Sequence, residues 1–147
     1  MVVNPADFSA LTGTILNAAI EVHRTMGPGL LESPYLPAMK YELTARGLRF
    51  STQREIPLLY KGVPLNLAFR IDFLVEDTVI VELKSQTALL PVHQAQLLTY
   101  LRIANVPVGL LINFNVPRLM DGVKRVVNPR HRSQDSQQTH AAEQQDN

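Results

Sequence analysis

VPLNLAFRIDFLVEDTVIVELK, residues 63–84, is the stretch whose reading decides the fold. Val63, Leu65, Leu67, Phe69, Ile71, Phe73 and Val75 are apolar at every second position, the period of a strand with one buried face. Arg70 and Asp72 then share the opposite face. Glu76-Asp77 suits a tight turn, because short polar side chains favour turns. Val79 to Lys84 reads as a second strand in which Glu82 and Lys84 point away from Leu83. The hairpin is expected to bring Asp72, Glu82 and Lys84 onto one face. Charges at the end of an almost uncharged, β-branched strand are costly to bury without a purpose. The plainer reading is a cross-strand ion pair on a solvated face. The functional reading is a divalent-metal site. Two carboxylates hold a hard cation such as Mg²⁺, and the lysine orients a water or offsets charge on a reacting phosphate.

Working outward, the 147-residue chain suits one domain with a real core, at 46% apolar residues. We expect that domain over residues 1–127 and a polar, disordered tail over 128–147, where HRSQDSQQTHAAEQQDN leaves almost nothing to bury. No run approaches the roughly 20 apolar residues that span a bilayer. The N-terminus lacks a basic start and an apolar signal core, so the expected location is the cytoplasm. The absence of cysteine excludes disulfides, thiolate catalysis and cysteine-ligated zinc. A net charge of +1 does not announce a nucleic-acid binder. Arg46, Arg49 and Arg54 cluster in sequence, and solvated surface is the simpler account of them.

Leu11, Ile15, Ala18, Ala19, Val22 and Met26 repeat at helical spacing, with Thr12 placed to cap and Gly27-Pro28-Gly29 to stop. His23 near the end of that helix is expected to be structural. A second helix is expected from Ser33 as cap and Pro34 in the first turn to a stop at Gly47, burying Leu36, Met39 and Leu43. Glu32 then lies at a helix N-terminus, either as favourable dipole charge or as a third acid for the metal site. Leu48 to Tyr60 reads as a strand ending in the Lys61-Gly62 turn, and Pro57 puts it at an edge or in a bulge. Pro91 opens another helix with His93, Gln96 and Tyr100 along one side. Val106 to Phe114 is an apolar run suited to a strand covered on both faces, and Val123 to Val127 a short edge strand.

Helix, strand, strand with Asp, Glu-x-Lys strand, helix, strand: this order resembles the PD-(D/E)XK nuclease core. That likeness implies an α/β fold, restriction-endonuclease-like, whose central mixed sheet is flanked by helices, here with an extra N-terminal helix. Locally the chain looks most like one branch, the GxxExxY family. Gly29-x-x-Glu32-x-x-Tyr35 is its motif, and Glu21-Val22-His23, Gly27-Pro28-Gly29, Arg70-x-Asp72, Glu82-Leu83-Lys84, His93-x-x-Gln96-x-x-x-Tyr100 and Gly109 to Phe114 also match. The likeness covers about residues 11–127. It implies that Asp72 and Glu82 ligate Mg²⁺ or Mn²⁺, with the Leu83 carbonyl as a further ligand. Lys84 would position the attacking water or stabilise charge on the phosphate. Glu32 would be an accessory acid or a water-mediated ligand. Gln96 and Tyr100 would touch the nucleic-acid backbone or support Lys84, with His93 a weaker member of that face. The implied function is a metal-dependent nuclease acting on DNA ahead of RNA, without a membrane and with room for a homodimer. The alternative is a catalytically silent nucleic-acid- or protein-binding domain on the same fold.

Overall fold

The computed structural model describes residues 8–132. Two helices come first, α1 (Ser9–Met26) and α2 (Tyr35–Ala45), then a hairpin of β1 (Phe50–Tyr60) and β2 (Val63–Val75). β3 (Val79–Lys84), α3 (Pro91–Ala104), β4 (Val108–Asn113), a 3₁₀ turn (Leu119–Gly122) and β5 (Val123–Val127) follow. The five strands lie in sequence order in one sheet. Only β3 and β4 run parallel, because only they are joined by a helical crossover. Glu76, Asp77 and Thr78 join β2 to β3; Glu76 and Asp77, both at φ 50, are the left-handed centre of a turn closed by the Thr78 N–H donating to the Val75 carbonyl at 2.9 Å.

The sheet separates two apolar clusters. On one side α1 and α2 bury Ile15, Ala19, Tyr35, Met39 and Leu43 against Phe73, Val81, Leu83 and Leu110. On the other, α3 lays Leu97 and Leu101 over Ile71, Leu74, Ile80 and Leu111. β4 is buried at every residue, as its unbroken apolar run leads one to expect. Each such Leu or Val contributes about 1.5–3 kcal/mol by leaving water.

Several local expectations are corrected. Thr12 does not cap α1, which begins at Ser9. Its hydroxyl donates instead to the carbonyls of Phe8 and Ser9 inside the helix. Pro34 rather than Ser33 is the cap of α2. Pro37 then falls on the third helical residue, whose N–H has no intrahelical partner, so the proline removes nothing. On α3 the buried pair is Leu97 and Leu101. β1 does lie at the sheet edge, and its register with β2 shifts between Pro57 and Leu59, so proline's missing donor costs little there.

The larger correction concerns β2. Phe69 and Ile71 pack on the α3 side, whereas Phe73 and Val75 pack on the α1/α2 side. Strict alternation would put all four on one face. β1 switches likewise, with Phe50 on the α1/α2 side and Ile56 on the α3 side. The hairpin therefore twists through the plane of the sheet between these residues. Gln53 lies at the switch with φ 52, and its partner position in the register is Asp72.

Residues 133–147, most of the expected tail, lie outside the described residues. Asn128, at the start of that tail, is buried. Its Nδ2 donates to the carbonyls of Leu101 and Val106, both at 3.1 Å, and Arg132 is bonded to Asn105. No helix among the described residues is long and apolar enough to cross a membrane.

Candidate active site

The site is built where the sheet opens. Only the last three residues of β2 pair with β3, ending at Phe73 opposite Val81. Beyond that point the two strands are bridged by side chains. Glu82 Oε1 accepts the Asp72 N–H at 2.9 Å, and Asp72 Oδ2 accepts the Leu83 N–H at 2.8 Å. Each carboxylate thus replaces a carbonyl that the ladder would have supplied, which satisfies two partly buried N–H groups and fixes both acids.

Burial and mutual repulsion set the electrostatics. Burial first, and then the negative charge of Asp72, push the Glu82 carboxyl up to about 8. Asp72 is also raised by burial, against the pull of the Leu83 N–H and of Lys84. Glu32, at the pocket rim, is raised by partial burial, with Lys84 lowering it and Asp72 raising it. Tyr100 is raised by burial and by the charges of Glu82 and Asp72. Glu32, Asp72, Glu82, Lys84 and Tyr100 therefore act on one another. An open pocket of about 220 Å³ is lined by Glu32, Ser33, Leu36, Gln53, Asp72 and Leu83.

Lys84 decides between the two readings of the charged trio. The four ion pairs among the described residues are Arg24–Glu21, Arg46–Glu42, Arg49–Glu76 and Arg70–Glu55. Lys84 is in none of them, so the cross-strand ion pair is not formed. Two of the three clustered arginines, Arg46 and Arg49, are instead pinned to carboxylates.

Glu32 is held by its carbonyl, which accepts the Tyr35 N–H at 3.2 Å, and by the anchoring of its neighbours. Tyr35 is fully buried, its hydroxyl donates to the Gly27 carbonyl at 2.7 Å, and its ring stacks on Phe114 with centroids 4.3 Å apart. The Ser85 hydroxyl donates to the Leu30 carbonyl, tying the same loop to the end of β3. His23 Nε2 donates to the Val116 carbonyl at 2.7 Å, a structural tie as expected. After Lys84 the chain is fixed by buried Asn113, which bonds both the N–H and the carbonyl of Gln86.

The α3 residues divide. Tyr100 stacks on Phe69, centroids 3.9 Å apart, and is within electrostatic reach of the acids. His93 is a local helix-end group whose Nδ1 accepts the Leu90 N–H. Gln96 is exposed and makes no side-chain hydrogen bond among the described residues. Sequence reasoning missed Ser33 and Gln53 as pocket residues. Nothing in the alternation around Gln53 signals its left-handed backbone.

No group of three His, Asp or Glu side chains among the described residues is arranged to hold a metal ion. The donor set still fits Mg²⁺ or Mn²⁺. Such cations take oxygen ligands and commonly use one or two carboxylates with waters. Here two half-buried carboxyls share a site whose negative charge raises Glu82.

Residues 9–126 match the family model of the PD-(D/E)XK nuclease superfamily. The chain belongs to that superfamily, and its mixed five-strand sheet flanked by helices is the corresponding α/β core. Membership supports a nuclease-type function in general terms, and nucleases of this superfamily typically use divalent metals. No curated protein and no solved structure matches the chain.

Proposed function

We propose that the protein is a divalent-metal-dependent phosphodiesterase of the GxxExxY branch, hydrolysing DNA ahead of RNA. The observation that carries this reading is the pair of interlocked acids, Asp72 and Glu82, beside a lysine that forms no ion pair among the described residues. Asp72 and Glu82, with the Leu83 carbonyl, hold Mg²⁺ or Mn²⁺. When bound, the cation supplies Lewis acidity for ionising water and offsetting phosphate charge. Lys84 donates a charge-assisted hydrogen bond to a phosphate oxygen, where negative charge builds in the transition state. Glu32 lines the pocket as an accessory acid, its carboxyl raised above the ordinary value by partial burial, which favours holding a proton. Tyr100, stacked on Phe69, lies within electrostatic reach of the same acids.

The test is Lys84→Met, which keeps the aliphatic stem and removes the ammonium. Metal and DNA binding should stay within a few-fold of wild type, while Mg²⁺-dependent cleavage falls roughly 100-fold or more. Cleavage at the wild-type rate would remove the lysine from the chemistry. A wild type that binds DNA, yet cuts neither single-stranded, duplex nor branched DNA nor RNA with Mg²⁺ or Mn²⁺, would overturn catalysis in favour of a binding domain.

A further inference from the structure

Gln53 occupies the one place where the β1–β2 hairpin turns through the sheet. Thr52 pairs with Phe73 and Arg54 with Ile71, so the register is the same on both sides and puts Gln53 opposite Asp72. Its φ of 52 is left-handed, a conformation that costs an L-residue stability and that glycine or asparagine adopts more cheaply. The other non-glycine residues with positive φ have ordinary local reasons. Lys61, Glu76 and Asp77 form tight turns, Asn105 ends α3, and Asn66 lies where the register shifts. The face switch accounts for a left-handed residue at position 53, but not for a long side chain there.

The pocket accounts for the side chain. Gln53 lines it together with Glu32, Asp72 and Leu83. Of the six lining residues two are acids and two are leucines, which leaves Ser33 and Gln53 as the side chains able to donate a hydrogen bond. A phosphate entering an acid-walled pocket is held only if donors meet its oxygens. The Gln53 carboxamide is exposed and has no hydrogen-bond partner among the described residues.

We propose that Gln53 contacts the substrate, its carboxamide N–H donating to a backbone phosphate oxygen of nucleic acid lying over Asp72. This rests on the nuclease reading of the site and adds a contact from β1, a strand that carries none of the pocket's acids. The decisive variant is Gln53→Gly, which keeps the left-handed backbone and removes the carboxamide. Gln53→Glu keeps the shape and replaces the donor with negative charge. Affinity is measured for a fluorescein-labelled DNA, single-stranded and duplex, in the Lys84→Met background with Mg²⁺ so that cleavage does not intervene. We expect Gln53→Gly to melt at or above the parent temperature and to show the same Mn²⁺-induced rise in melting temperature. Its DNA affinity should fall roughly 10-fold, as for losing one hydrogen bond to a charged group, and that of Gln53→Glu further. In the Lys84-containing protein, KM for cleavage should rise in step. Unchanged affinity and KM in Gln53→Gly would reduce position 53 to a bend and overturn the proposal while leaving the nuclease reading intact. A wild type that binds DNA through Gln53 without cutting it would overturn catalysis alone. A wild type that neither binds nor cuts would overturn both.

Discussion

Glu82→Gln should make the protein more stable at neutral and alkaline pH. The glutamine keeps an Oε1 to accept the Asp72 N–H and discards a charge that burial and Asp72 both disfavour. Below the ordinary carboxyl value of 4.5 the side chain is protonated in both folded and unfolded chains, and the wild type keeps its full stability. As pH rises, the unfolded chain ionises first and stability is lost, until pH passes the folded value of about 8. At about 1.4 kcal/mol for each pH unit, the move from 4.5 to about 8 amounts to roughly 5 kcal/mol. Asp72 is coupled to the same charge, so this figure is an upper bound. The assay is urea denaturation of both metal-free proteins from about pH 4 to about pH 9. The curves should coincide at the acid end and separate steadily, with the variant several kcal/mol more stable near pH 8. Saturating Mg²⁺ should close the gap, because binding stabilises only the chain that keeps the carboxylate. Parallel pH profiles would refute the account of a strongly disfavoured charge at Glu82.

Asp72→Asn keeps an oxygen for the Leu83 N–H and should fold, but its melting temperature should no longer rise on adding Mn²⁺. A full metal-induced rise would exclude Asp72 as a ligand. Gly122→Ala would place a methyl 2.2 Å from the Asn113 carbonyl oxygen, so the backbone must move. Urea denaturation should show a loss of about 3 kcal/mol or more, and an unchanged midpoint would contradict the packing. A chain cut after Arg132 should melt with the full-length protein. One cut after Val127 loses the Asn128 bonds to Leu101 and Val106 and should melt about 4 °C lower or more.

Much of this was legible before any coordinates. Apolar alternation and the Glu76-Asp77 turn placed the β2–β3 hairpin, and the unbroken run after Val106 placed a strand covered on both faces. Glu82-x-Lys84 could be read because both charges sit in one short strand whose period is rigid. Asp72 was placed beside Glu82 for an incomplete reason. Strict alternation put Ile71 and Phe73 on one face, whereas a left-handed residue in the neighbouring strand sends them to opposite sides. Gln53 stayed hidden because glutamine is not a residue that marks such a backbone. Thr12 misled because a threonine hydroxyl satisfies a carbonyl inside a helix as readily as an N–H at its start.

Gly109 carries a consequence for how this site can change over generations. A β-carbon there would lie 2.9 Å from Leu97, so α3 rests as low on β4 as it does because position 109 has only hydrogen on that side. Leu97 shares its helix with Gln96 and Tyr100, and the height of the one is the height of all three. A single methyl at position 109 must either turn the Leu97 side chain aside or raise α3, and raising α3 would carry Tyr100 away from the acids. Drift at this hidden position is therefore filtered by the geometry of the site as well as by packing. Escape requires a paired change, with Leu97 shrinking as residue 109 grows, so the two positions are expected to vary together or not at all.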